Sequence, residues 1–450
     1  MRPELAARYA DERLPRYTSY PTAPHFSASV GPGAYGEWLE EVPRDATASL
    51  YLHVPFCRRM CWYCGCNTSV ASRHQPVSDY LTALDAEIGM VAERLPGRLA
   101  VSHVHFGGGT PTIIRPDELL GLMARLRAAF DTRPDAEVAI EIDPRVLTAA
   151  MAATLGEAGF TRASLGVQSL DPVVQGAINR HQSLEETAEA VARLRAAGIE
   201  GLNLDLIYGL PHQTVASSVE TAKACLTLRP DRFSVFGYAH VPGFKRHQRK
   251  IDTGTLPDGS ERNAQADAIA AEIEAAGYKR IGLDHFALPD DAMATAAASG
   301  ELHRNFQGYT TDAADILIGL GASAIGHLPQ GYVQNAPVTR DYCAAIDRGG
   351  LATVRGFALG GDDRLRADLI ERLMCDYRVD LADICSRHGT GVEAIADALP
   401  ALDRLAADGV LRREGGVVEM ADDARTLVRV AAAAFDAYRG SSAAIHSRAV

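Results

Sequence analysis

The sequence predicts an α/β protein built around a parallel sheet. Between residues 49 and 241, short apolar segments of strand character alternate with amphipathic helical segments, and Gly or Pro turns separate them. Strands that alternate with helices pair in parallel through right-handed crossovers, which gives either a doubly wound sheet or a (β/α) barrel. The predicted strands are 49–56, 101–109, 137–144, 162–169, 201–209 and 232–241.

The helices between these strands carry recognisable start and stop signals. Segments 76–95 and 116–130 have the spacing of amphipathic helices. A third helix, over 184–197, is predicted to begin after Ser183, because Glu186 three residues later completes a capping box. Gly198 follows it and is a favourable residue for ending a helix.

The two ends of the chain do not follow this repeat. The segment "PRYTSYPTAPHF" (15–26) has aromatic and proline residues without periodicity, which is typical of an extended arm. From residue 361 the sequence is helix-rich, and it ends in a hairpin-like segment followed by a helix. The predicted organisation is an N-terminal arm (1–48), a barrel domain with substrate-covering insertions (49–360) and a small α-rich C-terminal domain (361–450), for which a winged helix is one candidate form.

Composition excludes several classes of protein. The 450 residues are 47% hydrophobic, and no apolar run is long enough to span a membrane. The net charge of -12 argues against a general nucleic-acid binder, which needs a basic face. The first thirty residues contain Glu4, Asp11 and Glu12 and lack the apolar stretch of a signal peptide, so a cytoplasmic location is expected.

Four of the eight cysteines fall within "PFCRRMCWYCGCN" (55–67), as Cys57, Cys61, Cys64 and Cys66. A disulfide knot is not expected in a chain of this size in a reducing compartment. Structural zinc usually takes two separated ligand pairs, and no second pair follows at the expected distance. A redox CxxC pair would explain Cys61 and Cys64 but not Cys57.

A [4Fe–4S] cluster fits this spacing better. Thiolates from one short loop hold such clusters, and Cys57, Cys61 and Cys64 can reach one cube. Cys66 lies only two residues beyond Cys64, so it is not assigned as a ligand. One iron then lacks a protein ligand, and an open coordination position is typical of catalytic metals.

Polar and small residues at the ends of the other strands form candidate ligand contacts, because barrel enzymes place their reactive groups there. Glycines in "GGGTP" (107–111) allow backbone N–H groups to approach a ligand. Glu141 could bind a ligand amine or ribose, or belong to a structural ion pair. Asp205 within an apolar strand needs a partner, either Arg180 or a ligand hydroxyl. Ala239 leaves room for a ring.

The cysteine segment resembles the radical S-adenosylmethionine (SAM) superfamily, in which an aromatic residue, here Tyr63, precedes the last cluster ligand. The resemblance implies a partial (β/α) barrel of about six parallel strand–helix units. It also implies that SAM binds the open iron and is cleaved by one electron to methionine and a 5′-deoxyadenosyl radical.

Further segments resemble the family of oxygen-independent coproporphyrinogen III oxidases: "PRYTSYPTA", "EIDPR", "GVQS", "DLIYGLP", "YAHVP", "DHFALPDD" and "LHRNFQGYTT". Gly237 departs from that pattern, where a larger polar residue is expected. The resemblance implies two SAM molecules. The first would contact Tyr51, Gly108, Glu141 and Ile325, and the second would contact Tyr63, Gly109, Thr110, Gln168, Arg180, Asp205 and Ala239.

The resemblance also implies the reaction and its partners. Coproporphyrinogen III would lose two propionate carboxylates and give protoporphyrinogen IX, with a one-electron donor such as flavodoxin or ferredoxin and a monomeric enzyme. Arg16, His303 and Arg304 are candidate cations for the substrate carboxylates. The aromatic arm would cover the pocket or pack on the barrel as core. The alternatives are a haem-binding carrier of the same superfamily without oxidase activity and a zinc-stabilised structural protein.

Overall fold

The computed structural model describes residues 2–9, 12–439 and 447–448 and divides into two compact units. The larger unit comprises Ser27–Ala276 and Asp312–Ala358, and the smaller one comprises Met1–Phe26, Gly277–Thr311 and Leu359–Val450. The predicted division of the chain into an arm, a barrel domain and a C-terminal domain stays a prediction.

The larger unit is built on one mixed sheet. Its strands are β1 (Thr47–Val54), β2 (Ala100–Gly108), β3 (Asp131–Ile142), β4 (Arg162–Gln168), β5 (Gly201–Tyr208), β6 (Arg232–Gly237), β7 (Ile316–Leu320), β8 (Ile325–Leu328), β9 (Gly331–Asn335) and β10 (Thr353–Ala358). Their order is β6-β5-β4-β3-β2-β1-β7-β8-β9-β10. The pairs from β6 to β7 are parallel, and those from β7 to β10 are antiparallel.

The six predicted strands are therefore confirmed as β1 to β6, and they follow one another across the sheet in chain order. That order is the one of a (β/α) barrel, whereas a doubly wound sheet reverses its order at a switch point. The expectation of a partial barrel is confirmed. The strand β7, which lies beside β1, was not predicted.

Helices connect the parallel strands β1 to β6 as expected. The helices of the larger unit are α1 (Pro32–Glu40), which precedes β1, then α2 (Gln75–Arg94), α3 (Pro116–Ala129), α4 (Ala149–Glu157), α5 (Pro172–Ala177), α6 (Leu184–Ala196), α7 (Val215–Leu226), α8 (Gly259–Ala275) and, between β9 and β10, α9 (Thr339–Asp347). The capping box at α6 is present, since Glu186 N donates to Ser183 Oγ over 3.1 Å and Ser183 N donates to Glu186 Oε2 over 2.8 Å. Among the described helices, none has both the length and the apolar composition that a bilayer crossing needs.

The alternation of β1 decides which side chains reach the site. Leu50, Leu52 and Val54 are at most 1% exposed, so one face of this strand belongs to the core. The residues between them, including Tyr51 and His53, point to the opposite face. Because the parallel strands share one direction, their carboxyl ends meet at one edge, where the cysteine segment begins.

A buried polar network joins α2 to the turn that follows β7. Glu87 is 1% exposed, and its carboxylate accepts hydrogen bonds from Gly321 N (2.6 Å), Asn335 Nδ2 (2.6 Å) and Tyr342 Oη (2.7 Å). Burial raises the pKa of Glu87 to about 7, although the three donors oppose this shift. The network therefore fixes the turn between β7 and β8 to the helix layer.

The smaller unit combines short helices with small antiparallel sheets. Its helices are Pro3–Tyr9, Ala292–Ser299, Asp363–Asp376, Leu381–Arg387, Leu399–Ala407 and Val428–Ala432. Its paired strands are Arg13–Leu14 with Ser447–Arg448, Lys279–Ile281 with His285–Ala287, His303–Asn305 with Gly308–Thr310, and Val417–Met420 with both Arg378–Asp380 and Leu411–Glu414. The helix-then-hairpin order after residue 363 is the one that a winged helix would have.

The tyrosines of the N-terminal arm belong to the core of the smaller unit. Tyr17 and Tyr20 are 4% and 3% exposed and cluster with Leu369, Leu373 and Phe435. Tyr17 Oη donates to Asp436 Oδ2 over 3.0 Å, and Tyr20 Oη accepts from Ala437 N over 3.0 Å. These two rings are thus core residues of the smaller unit, and a role of the arm as a pocket cover stays a prediction.

Candidate active site

The cysteine segment begins directly after the carboxyl end of β1. The short strand Phe56–Cys57 pairs in parallel with Ser69–Val70, so the intervening residues form a closed loop. Two hydrogen bonds close its base, from Ser69 N to Pro55 O (2.9 Å) and from Ala71 N to Cys57 O (3.0 Å). We call residues 57–66 the cysteine loop.

Each of the three predicted ligands has polar donors around its sulfur. Cys57 Sγ accepts from Thr110 Oγ1 at 3.4 Å and lies 3.3 Å from Thr68 Oγ1. Cys61 Sγ lies 3.6 Å from both Arg145 Nη2 and Arg180 Nη1. These contacts stabilise negative charge on sulfur, as thiolate ligands require.

The pKa values of the neighbouring thiols Cys64 and Cys66 are shifted in opposite directions. The Cys66 side chain lowers the pKa of Cys64 to about 7, although burial opposes this. The Cys64 side chain raises the pKa of Cys66 well above its usual value. Cys66 N donates to Cys64 Sγ over 3.4 Å. This backbone donor stabilises negative charge on Cys64, as a ligand thiolate requires.

These residues fit a [4Fe–4S] cluster. Within the described part of the chain, no three His, Cys, Asp or Glu side chains converge on a single-ion site. A cubane does not require such convergence, because each thiolate binds a different iron. The two guanidinium groups beside Cys61 suit the negative charge of a thiolate-ligated cluster. Cys57, Cys61 and Cys64 would hold this group.

The assignment of Cys66 gives a direct prediction. Cys66 is expected not to be a ligand, so Cys66→Ser should keep the full iron and sulfide content, and the backbone N–H at this position should still donate to Cys64 Sγ. Iron and acid-labile sulfide analysis after anaerobic reconstitution checks this. Loss of iron from the variant would make Cys66 a cluster ligand.

Glycines at the end of β2 bring backbone close to the cysteine loop. Gly108 has φ +112°, and a Cβ there would lie 2.6 Å from the His53 ring. A Cβ at Gly109 would lie 2.5 Å from Phe56 O. Side chains at these positions would push the loop away from the strand edge. Gly108 N donates to Glu141 Oε2 over 3.0 Å, so the predicted contacts Gly108 and Glu141 lie together.

Two aromatic residues of β1 form a chain of contacts to Asn67, the residue that follows the cysteine loop. His53 Nε2 lies 2.8 Å from Asn67 O, so this nitrogen carries the proton, and Nδ1 accepts from Tyr51 Oη at 3.0 Å. Burial lowers the pKa of His53, which keeps the ring neutral. The predicted contact Tyr51 is therefore fixed by His53, which sequence reasoning missed. Its position two residues after Tyr51, on the same strand face, was an available signal.

Glu141 lies beside a histidine at the end of β3. Its Oε1 lies 3.5 Å from His105 Nε2, so a structural partner, one of its two expected roles, is present, and ligand binding stays a prediction. Burial alone would raise the pKa of Glu141, but the hydrogen bonds from His105 and Gly108 lower it. The carboxylate stays ionised and its side chain is 40% exposed, so it can still accept from a ligand.

Arg180 lies at the centre of a second group of predicted contacts. It is 5% exposed, pairs with Asp143 (Nη2–Oδ1 3.3 Å) and donates to Gly166 O. It does not pair with Asp205, which instead accepts from Ser164 Oγ (2.9 Å) and Asn203 Nδ2 (2.8 Å). In the described structure, Gln168 Oε1 and Arg180 Nε are buried without a hydrogen-bond partner, as expected of atoms that bind a polar ligand.

Gln248 joins two further predicted contacts. Its Nε2 donates to Tyr63 O over 2.9 Å and to Ala239 O over 3.2 Å, which ties the cysteine loop to the end of β6. Thr110 was expected near the second SAM, and the structure places its hydroxyl on Cys57 Sγ. Ile325 is the first residue of β8. Glycine at position 319 in β7 allows the backbones of β7 and β8 to approach, because a Cβ at Gly319 would lie 2.5 Å from Ile325 O.

The structure also places Gly237, the charged residues at the end of β3 and the three candidate cations for the substrate. At Gly237 a Cβ would lie 2.9 Å from Tyr208 Oη and 3.1 Å from Arg262 Nη2, so these side chains use the space of the expected larger residue. Asp143 and Arg145 at the end of β3 bring charge to Cys61, a role that the sequence did not indicate. Arg16, His303 and Arg304 belong to the smaller unit, where His303 contacts Glu371 (3.3 Å) and Arg304 stacks on Tyr309 (4.3 Å).

Comparisons with known proteins identify the family of this chain. The model of the radical SAM superfamily matches residues 51–225. The chain is 58% identical over 450 residues, 100% of both chains, to an oxygen-independent coproporphyrinogen III oxidase of Bradyrhizobium diazoefficiens. It is 43% identical to one of Cereibacter sphaeroides, with 96% of each chain covered.

A solved structure gives the same result for the fold. The coproporphyrinogen III oxidase of Escherichia coli, described as a radical SAM enzyme, superposes with a TM-score of 0.90 at 38% identity, over 95% of this chain and 100% of that one. The chain belongs to the radical SAM superfamily and, within it, to the family of oxygen-independent coproporphyrinogen III oxidases.

Proposed function

We propose that this chain converts coproporphyrinogen III to protoporphyrinogen IX in anaerobic haem biosynthesis. The observation that carries the proposal is the cysteine loop, whose three sulfurs receive hydroxyl, guanidinium and backbone donors at the carboxyl edge of a parallel sheet. Its relatives are named for this oxidase activity. The alternative, a haem carrier without oxidase activity, is not what those relatives are named.

The cofactors are a [4Fe–4S] cluster and SAM, as membership of the superfamily implies. When bound, they would supply reductive cleavage of the sulfonium to methionine and a 5′-deoxyadenosyl radical, which would take one hydrogen atom from a propionate chain. Loss of CO2 and of one electron from that chain would then leave a vinyl group. Each propionate therefore uses one SAM and one electron, and it returns one electron to an acceptor.

The chain's own residues would divide the site between two SAM molecules. Tyr51, Gly108, Glu141 and Ile325 would contact the first, and Glu141 offers an ionised carboxylate to its cationic amine. Tyr63, Gly109, Gln168, Arg180, Asp205 and Ala239 would contact the second, with Thr110 acting through Cys57. The buried Gln168 Oε1 and Arg180 Nε support this second group, since each has hydrogen-bonding capacity left.

Two arginines beside Cys61 are held in place by a buried carboxylate. Asp143 holds both Arg145 (2.6 Å) and Arg180 (3.3 Å), so both guanidinium groups stay oriented toward the sulfur. Burial raises the pKa of Asp143, but the two arginines lower it by more, so the pKa of Asp143 lies below its usual value. This ion triad would favour thiolate and cluster charge without reorganisation.

The partners follow from the same reaction. The substrate is coproporphyrinogen III, and the reductant would be a one-electron carrier such as flavodoxin or ferredoxin. We further propose that the enzyme acts as a monomer in the cytoplasm, where its oxygen-sensitive group and reductant would be available.

One anaerobic assay tests the function. The reconstituted protein is incubated with coproporphyrinogen III, SAM and a chemical reductant, and products are separated by chromatography. Protoporphyrinogen IX should form with two equivalents each of methionine and 5′-deoxyadenosine per product. Haem transfer to an acceptor protein without any decarboxylation would instead support the carrier alternative.

A further inference from the structure

A strongly basic loop lies beside the cysteine loop. Residues 245–250 have the sequence KRHQRK, and we call them the basic loop. Arg246, Arg249 and Lys250 are exposed, and the neighbouring Phe244 is 71% exposed. The whole chain has a net charge of -12, so this loop is a local reversal of the protein's overall charge.

The basic loop rests directly on the backbone of the cysteine loop. Lys245 Nζ donates to Cys66 O over 2.9 Å, and His247 Nε2 donates to Cys64 O over 2.7 Å. Gln248 Nε2 donates to Tyr63 O over 2.9 Å, and Lys250 Nζ lies 5.4 Å from the centre of the Trp62 ring. The basic surface is therefore a direct neighbour of the segment that carries the third cluster ligand.

Two functions are thus separated within the basic loop. Lys245, His247 and Gln248 hold the cysteine loop with their side chains, whereas Arg246 and Arg249 carry exposed positive charge. The exposed arginines are not needed to hold the cysteine loop in place. They are suited to attracting an acidic surface, because complementary charge accelerates and orients association. The exposed Phe244 adds an apolar contact at the rim.

We propose that the basic loop is the docking surface for an acidic one-electron carrier protein. This inference rests on the proposed function, in which each SAM cleavage consumes one electron. The carrier is oxidised by one electron, and that electron breaks the sulfonium C–S bond to give methionine and the radical. Docking here places the carrier against the cysteine loop, so the electron crosses little protein. A small, wet, charge-steered interface is typical of such redox encounters.

The test compares two charge-reversed variants of the reconstituted protein. Arg246→Glu with Arg249→Glu changes the basic loop without touching its contacts to the cysteine loop, and Arg133→Glu is the control, because Arg133 lies at the amino end of β3 and is exposed. The dissociation constant of an oxidised, strongly acidic bacterial flavodoxin is measured by calorimetry at two salt concentrations. Iron content and the visible spectrum verify that each variant retains its cluster.

We expect the double variant to weaken flavodoxin binding at least tenfold at low salt and to lose most of the salt dependence, because screened attraction is what it removes. The control should stay within twofold. Rates of 5′-deoxyadenosine formation should fall with reduced flavodoxin as donor and stay unchanged with dithionite. Equal binding by all three proteins, or binding too weak to measure in the unaltered protein, would overturn the inference. Failure of dithionite-driven cleavage in the unaltered protein would instead overturn the proposed function.

Discussion

Replacing Cys61 by Ala is expected to abolish both cluster assembly and SAM cleavage. Cys61 is the buried one of the three proposed ligands, and two thiolates cannot hold a [4Fe–4S] cube that needs three from this loop. The loop itself should keep its position, because Asn179 Nδ2 donates to Met60 O and Trp62 N donates to Ile178 O, each over 2.9 Å. Iron analysis, absorbance at roughly 400 nm from iron–sulfur charge transfer and 5′-deoxyadenosine formation measure the effect.

A matched control separates ligand loss from loss of a buried thiol. Cys225 is 0% exposed in α7 and burial alone raises its pKa, so Cys225→Ala removes a sulfur of purely structural environment. That variant should lose some stability and keep its iron and its activity. Production of 5′-deoxyadenosine by the Cys61→Ala protein would show that the ligand assignment is wrong.

Replacing Glu87 by Ala is expected to destabilise the larger unit by about 3 kcal/mol or more, because each buried donor that loses its acceptor costs about 1–3 kcal/mol. Three donors would lose it: Gly321 N, Asn335 Nδ2 and Tyr342 Oη. The turn between β7 and β8 should loosen as well. Denaturant unfolding followed by circular dichroism measures the loss, with Glu118→Ala as a control at a partly exposed carboxylate.

Glu87→Gln tests the electrostatic part of the same network. The pKa of Glu87 rises from 4.5 to about 7 on folding, so the folded protein binds the proton more tightly. Its contribution to stability is therefore complete below pH 4.5 and is lost as the pH rises to about 7. The difference in unfolding free energy between the unaltered protein and Glu87→Gln should decrease across that window and be constant outside it. A constant difference throughout would mean that Glu87 does not titrate there.

Local sequence signals were sufficient for the repeating part of the fold. The strands β1 to β6 and the helices α2, α3 and α6 have clear periodicity and caps, so their positions are predictable to within a few residues, apart from an earlier start of β3 and an earlier end of β6. The strand β7 was missed because its five residues, Ile316–Leu320, are not followed by a helix. The antiparallel strands β8 to β10 are also too short to be recognised from their sequence pattern.

The sequence supports a prediction of the cluster ligands because the cysteines are close together in it, whereas the surroundings of these cysteines could not be predicted. The donors to Cys57 and Cys61 are Thr110, Arg145 and Arg180, which come from the ends of β2 and β3 and from the turn after α5. Which carboxylate pairs with Arg180 depends on the distances between neighbouring strands. The sequence left Asp205 open as a partner, and the folded chain brings Asp143 instead.

The pairing of β1 with β7 has a consequence for biogenesis. Thr47 and Asp315 are linked across 268 residues by hydrogen bonds at the start of this pair, so β1 has one free edge until most of the chain exists. A ribosome needs about 13 to 54 s to add those 268 residues at roughly 5–20 residues per second. Completion of the sheet beside the cysteine loop should therefore follow synthesis of β7, and nascent chains halted before residue 316 should hold iron less firmly than chains that include Ile316–Leu320.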